Sequence, residues 1–276
     1  MSLWHVVVYG IVQGLTEFLP VSSTGHLRIV QAWLDPHEKE SVFTAFTAVI
    51  QLGTTLALVL YFWRELAHIA VAWLRGLVDR SVRSSLEYRF GWYLIVATIP
   101  VGAFGLVFSK QIETGARNLW VIACALIGLA LVLGLAEKIG RRNREEEDLN
   151  AVDAIVVGTA QALALIPGAS RSGTTITAGL FRGLDRASAA RFSFLLSIPA
   201  VVLSAIYEAR KINTPGAPGV GLTGVGVVIA FIVGLASIAW LMRWISKHST
   251  FVFIGYRIIL GGVLIALLAS HHLSAT

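Results

Sequence analysis

The chain has 276 residues, 56% of them apolar and only 14% charged, with a formal net charge of +6 and a mean hydropathy of +0.74. Soluble globular domains carry about 25% charged residues, so this composition excludes a water-soluble domain and makes a lipid bilayer the expected solvent. Most of the 22 basic residues fall in short gaps between apolar runs, which speaks for orientation in a membrane and against a nucleic-acid partner.

In chain order, residues 3–19 are apolar but carry Gln13 and Glu17 and end at Pro20. The first eight residues hold no Lys or Arg and no A-x-A site follows, so no cleaved signal is expected. A run over 42–63 is close to the roughly 20 residues that cross a bilayer as helix, and runs over 90–108 and 119–136 follow it. Residues 64–89 and 138–144 read as basic gaps, and RRNREEED at 141–148 as a solvated loop. Cys124, the single cysteine, reads as a small core residue and allows no disulfide within the chain. Residues 152–166 repeat the pattern of the first segment, carrying Asp153 and Gln161 and ending at Pro167. Three further runs, 192–207, 220–242 and 251–269, bring the expected spans to six. Arg257, inside the last run, reads as pairing with another helix.

The short segments 3–19 and 152–166 each run into a Gly/Ser/Thr-rich turn and then a moderately apolar stretch, a pattern expected of re-entrant helical hairpins. Gly10, Gln13, Pro20 and Gly25 answer to Gly158, Gln161, Pro167 and Gly173 at a constant offset of 147 or 148 residues, with Tyr61 and Tyr207 separated by 146. The expected organisation is one membrane domain of two repeats, 1–148 and 149–276. Five arginines in 64–89, four basic residues in 138–144 and two in 243–248 place those gaps in the cytoplasm, against two in each of the gaps 109–118 and 208–219. Three spans per repeat then invert the second copy, so the hairpins enter from opposite faces and meet near the midplane. The expected fold is all-α, with six transmembrane helices and two re-entrant hairpins in inverted-topology repeats.

The first polar cluster runs from Gln13 to His26. Gln13 and Glu17 are four apart and share a helical face. A carboxylate in hydrocarbon is costly unless it is paired or holds a cation, and the plain alternative is one that snorkels or pairs with an arginine. Ser22, Ser23 and Thr24 offer three hydroxyls, and with a helix start they suit a phosphate, although a helix cap needs only one. His26, three residues beyond Ser23, is a candidate for proton transfer or nucleophilic attack. The second cluster is Ser170, Arg171, Ser172 and Thr175. A permanently charged guanidinium between two serines can grip phosphate oxygens bidentately. An acid with hydroxyls meeting a cation with hydroxyls would enclose a phosphorylated ligand, with or without a divalent metal.

GLTEFLPVSSTGH with its upstream Gln, and the later PGASRSGTT, resemble the two signature regions of the undecaprenyl-diphosphate phosphatase family of the bacitracin-resistance type. VIQLGTTLALVLYFWRE and RFSFLLSIPA continue the resemblance along nearly the whole chain. The resemblance implies a hydrolase of the bacterial inner membrane that converts undecaprenyl diphosphate to undecaprenyl phosphate, recycling the lipid carrier of wall synthesis, and that depends on Mg²⁺ or Ca²⁺. It implies six spans, two re-entrant pairs and a pocket open to the periplasm. It assigns Glu17 to the metal and to catalysis, with Ser23, His26 and Arg171 also catalytic, and Gln13, Ser22, Thr24, Ser170, Ser172 and Thr175 on the substrate. Gln13 stands where the family also uses Glu, which leaves one carboxylate fewer. The attacking group is Ser23, water or His26. The expected partners are a polyprenyl diphosphate and membrane lipids, and a homodimer is compatible with the sequence. An inverted-repeat transporter of an anionic lipid or phosphorylated solute is the rival from another class; it has no use for a hydroxyl nucleophile beside a histidine.

Overall fold

The computed structural model describes residues 1–35, 39–108, 118–208 and 219–274. Among these the chain is helical, with no β-strand and one isolated bridge between Arg144 and Leu184. The helices are α1 (Leu3–Thr16), α2 (Ser23–Leu34), α3 (Glu40–Tyr61), α4 (Trp63–Val78), α5 (Leu86–Val107), α6 (Leu119–Ile139), α7 (Ala151–Gln161), α8 (Arg171–Phe181), α9 (Arg186–Glu208), α10 (Val220–Ile245) and α11 (Phe251–Ala269). Six of them, α3, α5, α6, α9, α10 and α11, contain apolar stretches of 19 to 26 residues, long enough to cross a membrane. Their outward faces are greasy: Leu106 is 68% exposed and Ile259 likewise 68%. This is a multi-pass membrane protein.

Apolar periodicity located the spans and capping moved their ends. Helix α5 begins four residues before the expected run because Ser85 accepts from Tyr88 N–H at 3.3 Å. Helix α9 begins at Arg186, six residues before the apolar stretch, because Asp185 accepts from Ser188 N–H at 2.6 Å. The gap 64–89 is not a plain loop. It holds α4 and a 3₁₀ turn, Arg80–Ser84. WRELAHIAVAWLRGLV buries only Ile69 and Gly76 and exposes Val71, Leu74 and Val78, so its polar face kept it below the apolarity of a span. Cys124, expected in the core, is exposed on α6; beside it Ile122 and Ala123 face inward. His37 and most of the gaps 109–118 and 208–219 lie outside the described residues, as does the side chain of Tyr207.

Helices far apart in sequence pack together through glycines. Helix α1 lies on α10, where a Cβ on Gly10 would sit 3.0 Å from Ile229 Cβ. Helix α3 crosses α10 at Gly53, whose Cβ would be 2.3 Å from Val227 O, and α7 crosses α5 at Gly158, whose Cβ would be 2.4 Å from Ala97 O. At these crossings the backbones touch, and the missing methyl groups are the reason they can. Helices α6 and α11 pair along their length.

Ion pairs then gather one set of helix ends. Glu137 at the end of α6, its side chain fully buried, accepts from Arg142 Nη1 at 2.9 Å, Arg186 Nε at 2.8 Å and Thr250 Oγ1 at 2.9 Å. Asp153 in the first turn of α7 accepts from Arg144 Nη2 at 2.6 Å and from Arg182 Nε, just past α8, at 2.6 Å. Arg191 on α9 grips Glu65 at 2.7 Å and lies 3.0 Å from Glu146. Residues 141–148 are largely solvated as expected, with Arg141, Asn143, Glu145, Glu147 and Asp148 exposed, but Arg142 and Arg144 dock on the buried acids Glu137 and Asp153, and Glu146 on Arg191. The chain around Glu65, 137–153, 182–191 and Thr250 shares one face. At the other polar entrance, His5 Nδ1 on α1 lies 3.4 Å from Asp35 Oδ2 after α2.

Candidate active site

Thr16 closes α1 by donating to Val12 O at 2.6 Å, and Glu17 follows with its backbone still helical. The carboxylate is buried, and both its oxygens are used. Oε2 accepts from Gln13 Nε2 at 2.8 Å and from Ser23 Oγ at 2.8 Å; Oε1 accepts from Gln51 Nε2 at 3.0 Å and from Arg171 Nη2. Helices α1 and α3 and both turns thus converge on one carboxylate. Glu17 does pair with an arginine, the plain alternative given above, and its partner is the arginine of the second cluster.

The two turns are built alike. Ser22 caps α2 and Ser170 caps α8, each accepting through Oγ from the glycine N–H three residues on, at 3.2 Å from Gly25 and 3.1 Å from Gly173. Both serines have positive φ, 76° and 72°, where L residues are disfavoured, a cost of about 1–3 kcal/mol each. Each cap thereby takes up one of the helix-start N–H groups that have no intrahelical partner. Ser172 Oγ donates across to Leu19 O at 3.1 Å, tying one turn to the other.

Placement divides the candidates. Gln13, Glu17, Ser23 and Arg171 form one bonded group, and Arg171 is the more accessible partner, its side chain 20% exposed against 5% for Glu17. Ser22, Ser170 and Ser172 are buried and build the turns, whereas Thr24 is exposed. Thr175 is fully buried and faces away from the group: its Oγ1 donates to Arg171 O at 2.7 Å and lies 2.5 Å from Ser193 Oγ. His26 bonds neither Ser23 nor Glu17. Its Nδ1 is 2.7 Å from Ser22 O and its Nε2 2.7 Å from Tyr256 Oη, with the two rings stacked. A carbonyl only accepts, so Nδ1 carries the proton and, in the neutral ring, Nε2 accepts from the phenol.

Sequence reasoning missed Gln51, Tyr256 and the reach of Arg257. Gln51 was visible as a lone amide in the apolar run 42–63, a polar residue that a membrane span seldom carries without a task. Tyr256 carried no signal beyond standing next to Arg257. Arg257 is fully buried on α11 and donates to five carbonyls: Leu126 O at 3.1 Å, Pro20 O, Ala125 O and Gly168 O at 3.2 Å, and Ala169 O at 3.0 Å. It pairs with α6 as expected, and with both turns as well.

Among the described residues no three or more His, Cys, Asp or Glu side chains are placed so that they could hold a metal ion between them. A divalent cation here would rest on Glu17 in place of Arg171, with Ser23 Oγ beside it; Gln13 and Gln51 turn Nε2–H toward the carboxylate, so their oxygens join the shell only if both amides turn over. One carboxylate among neutral oxygens suits Mg²⁺ or Ca²⁺ as a partial shell that phosphate oxygens and water complete.

The chain is 48% identical over its full length to an undecaprenyl-diphosphatase of Mycobacterium ulcerans (strain Agy99), of which it also covers 100%. It is 48% identical to that of Mycobacterium tuberculosis (strain ATCC 25618 / H37Rv), with 98% of that protein covered. A third such protein, from Mycobacterium sp. (strain KMS), is 49% identical over 98% of both chains. A family model described as bacitracin resistance protein BacA matches residues 6–263. With 258 consecutive residues matched, both turns and the Glu17–Arg171 contact among them, the chain belongs to the BacA bacitracin-resistance family.

Proposed function

We propose that the chain hydrolyses undecaprenyl diphosphate to undecaprenyl phosphate and inorganic phosphate. The observation that carries this reading is the Glu17 carboxylate, which accepts from Ser23 Oγ on one oxygen and from Arg171 on the other and so joins a hydroxyl, a base and a cation in one bonded group. When the diphosphate enters, Arg171 exchanges the carboxylate for phosphoryl oxygens and neutralises the charge that develops there. Glu17 takes the proton of Ser23 Oγ, which attacks the terminal phosphorus. The bond from that phosphorus to the bridging oxygen breaks, undecaprenyl phosphate leaves, and water then hydrolyses the phosphoserine. In the variant with direct attack, Glu17 takes the proton from water instead. His26 and Tyr256, at the accessible edge, exchange protons with the leaving oxygen or the incoming water.

Glu17, with Gln13 and Gln51 once their amides turn over, would hold a Mg²⁺ or Ca²⁺ against the diphosphate. When bound, the cation supplies neutralisation of the phosphate oxygens that Arg171 does not reach.

The architecture belongs to the same proposal: two re-entrant hairpins, α1–α2 and α7–α8, in inverted repeats 1–148 and 149–276. It is supported by the paired serine caps and by entrance pairs at matching positions, His5–Asp35 and Asp153–Arg182, offset by 148 and 147. The exchange of partners, α1 with α10 and α7 with α5, fits it too. The arginine-rich face of Glu137, Asp153 and Arg191 is assigned to the cytoplasm, which leaves the site open to the periplasm of the inner membrane.

The test is phosphate release from a long-chain prenyl diphosphate by purified protein in detergent, with and without EDTA. Release that stops in EDTA is the expected result. Full activity in chelator removes the cation, and no release under any condition favours an anionic-lipid carrier instead.

A further inference from the structure

Arg257 is the largest fully buried side chain among the described residues, and none of its hydrogen-bond partners there carries a charge. A guanidinium presents its N–H donors in a fixed plane: Nε donates to Leu126 O, Nη1 to Pro20 O, and Nη2 is shared among Ala125 O, Gly168 O and Ala169 O. Two of those carbonyls, Ala125 and Leu126, lie in the rigid span α6. The other three, Pro20, Gly168 and Ala169, lie one or two residues before the strained caps Ser22 and Ser170. The space for the plane is left by Gly173, where a Cβ would lie 2.8 Å from Nη1 and, less tightly, 3.1 Å from Ser170 Cβ. An unpaired buried charge is costly in a membrane helix, and bonds to α6 alone would not need a side chain that reaches both turns.

We propose that Arg257 is the positioning residue of the site. It holds both turns against α6 at a fixed separation and so sets the distance between Ser23 on the first turn and Arg171 on the second. It touches none of the reacting groups named above and acts through the backbone. Its planar fork is what matters, since a lysine keeps the charge but offers three donors that cannot span three backbone segments.

The experiment compares Arg257→Lys, Gly173→Ala and the double variant in kcat, KM and detergent thermal stability. Each single change is expected to lower kcat by about a hundredfold, the scale of displacing a site by about 1 Å, with KM within about threefold because the positive charge is retained or only displaced. The double variant should lose no more than the worse single one, because lysine vacates the space that the alanine methyl needs; losses that multiply would mean that the two positions do not act through this contact. Near-wild-type kcat in Arg257→Lys, or multiplying losses, overturns the proposal. Should Arg257→Lys not fold, Gly173→Ala decides alone, since unchanged kcat there is the contrary result.

The kinetic arm rests on the phosphatase reading, so a second measurement stands apart from it. Spin labels on Leu15→Cys and Leu163→Cys, both exposed and just ahead of the turns, report the separation in a Cys124→Ala background. A broadened distance distribution on Arg257→Lys supports the staple whether or not phosphate is released, and an unchanged one overturns it. Inactive wild-type protein with a broadened distribution counts against the phosphatase alone.

Discussion

Arg171 and Glu17, 154 residues apart in the chain, are bonded to each other at the centre of the site. Each neutralises the other's charge, and the proposed mechanism gives each a separate role on the diphosphate. Arg171→Lys keeps the charge and loses the fork, and Glu17→Gln keeps the shape and loses the base. Both are expected to lower kcat by at least about a hundredfold, the scale of losing one electrostatic partner in a closed site. The measurement is steady-state phosphate release with folding checked by thermal stability, and near-wild-type kcat in either variant would show that the site lies elsewhere.

Ser23→Ala separates the two routes of attack. With Ser23 Oγ held 2.8 Å from Glu17 Oε2, the serine route is favoured, and the variant should lose at least about a thousandfold in kcat, within the range that removing a nucleophile and its proton transfer spans. Turnover that stays within about tenfold of wild type would instead mark water as the attacking group.

Tyr256→Phe removes the hydroxyl that donates to His26 Nε2 while keeping the stacked ring. If the pair relays protons, kcat should fall by about tenfold or more and the pH profile should change shape, with KM little affected. An unchanged profile would reduce Tyr256 to a packing residue.

Glu146 lines a cavity of about 500 Å³ with Glu65, Glu87 and Arg191 on the charged face. Burial, opposed by Arg191 and reinforced by neighbouring acids, pushes its carboxyl up from 4.5 to about 7. The folded state therefore binds this proton more tightly than the unfolded one. The contribution to stability is full below about pH 4.5 and is lost as pH rises to about 7. Glu146→Gln keeps the neutral form at every pH, so its thermal stability relative to wild type should grow from pH 4.5 to 7 and then level off. A difference that is constant with pH would refute the titration.

Cysteines placed singly at Ser2, Arg80 and Glu146, with Cys124 replaced by alanine, test the orientation. In intact spheroplasts an impermeant thiol reagent should reach Ser2→Cys and spare the other two. Labelling of Arg80→Cys but not of Ser2→Cys would invert the assignment.

The six spans were legible because each buries or greases a long continuous run, a signal that sums over about twenty residues. Glu17 and Arg171 were legible because a charge in an apolar chain demands a reason. Helix α4 was not, since its apolar residues alternate with Arg64, Glu65, His68 and Arg75 and so dilute any window average. Nor was the pairing of Glu137 with Arg186 or of Glu65 with Arg191. Each acid has nearer arginines in sequence, and only the folded backbone selects the partner. His26 was read as working on Ser23, but its ring is turned to the last span. A residue type shows what chemistry a side chain is capable of; its direction comes from α2, whose start is fixed by the strained Ser22 cap.

The close seating of α1 on α10 at Gly10 has a consequence for how the protein is made. Helix α1 thus has as its neighbour a helix synthesised long after it. Until α10 has been synthesised and inserted, the α1–α2 hairpin, with Glu17 on it, lacks the surface it packs on. Assembly of this hairpin therefore waits on α10 rather than progressing evenly with translation. A chain truncated before α10 would leave the hairpin and its acid without that surface, a defect that membrane quality control could recognise.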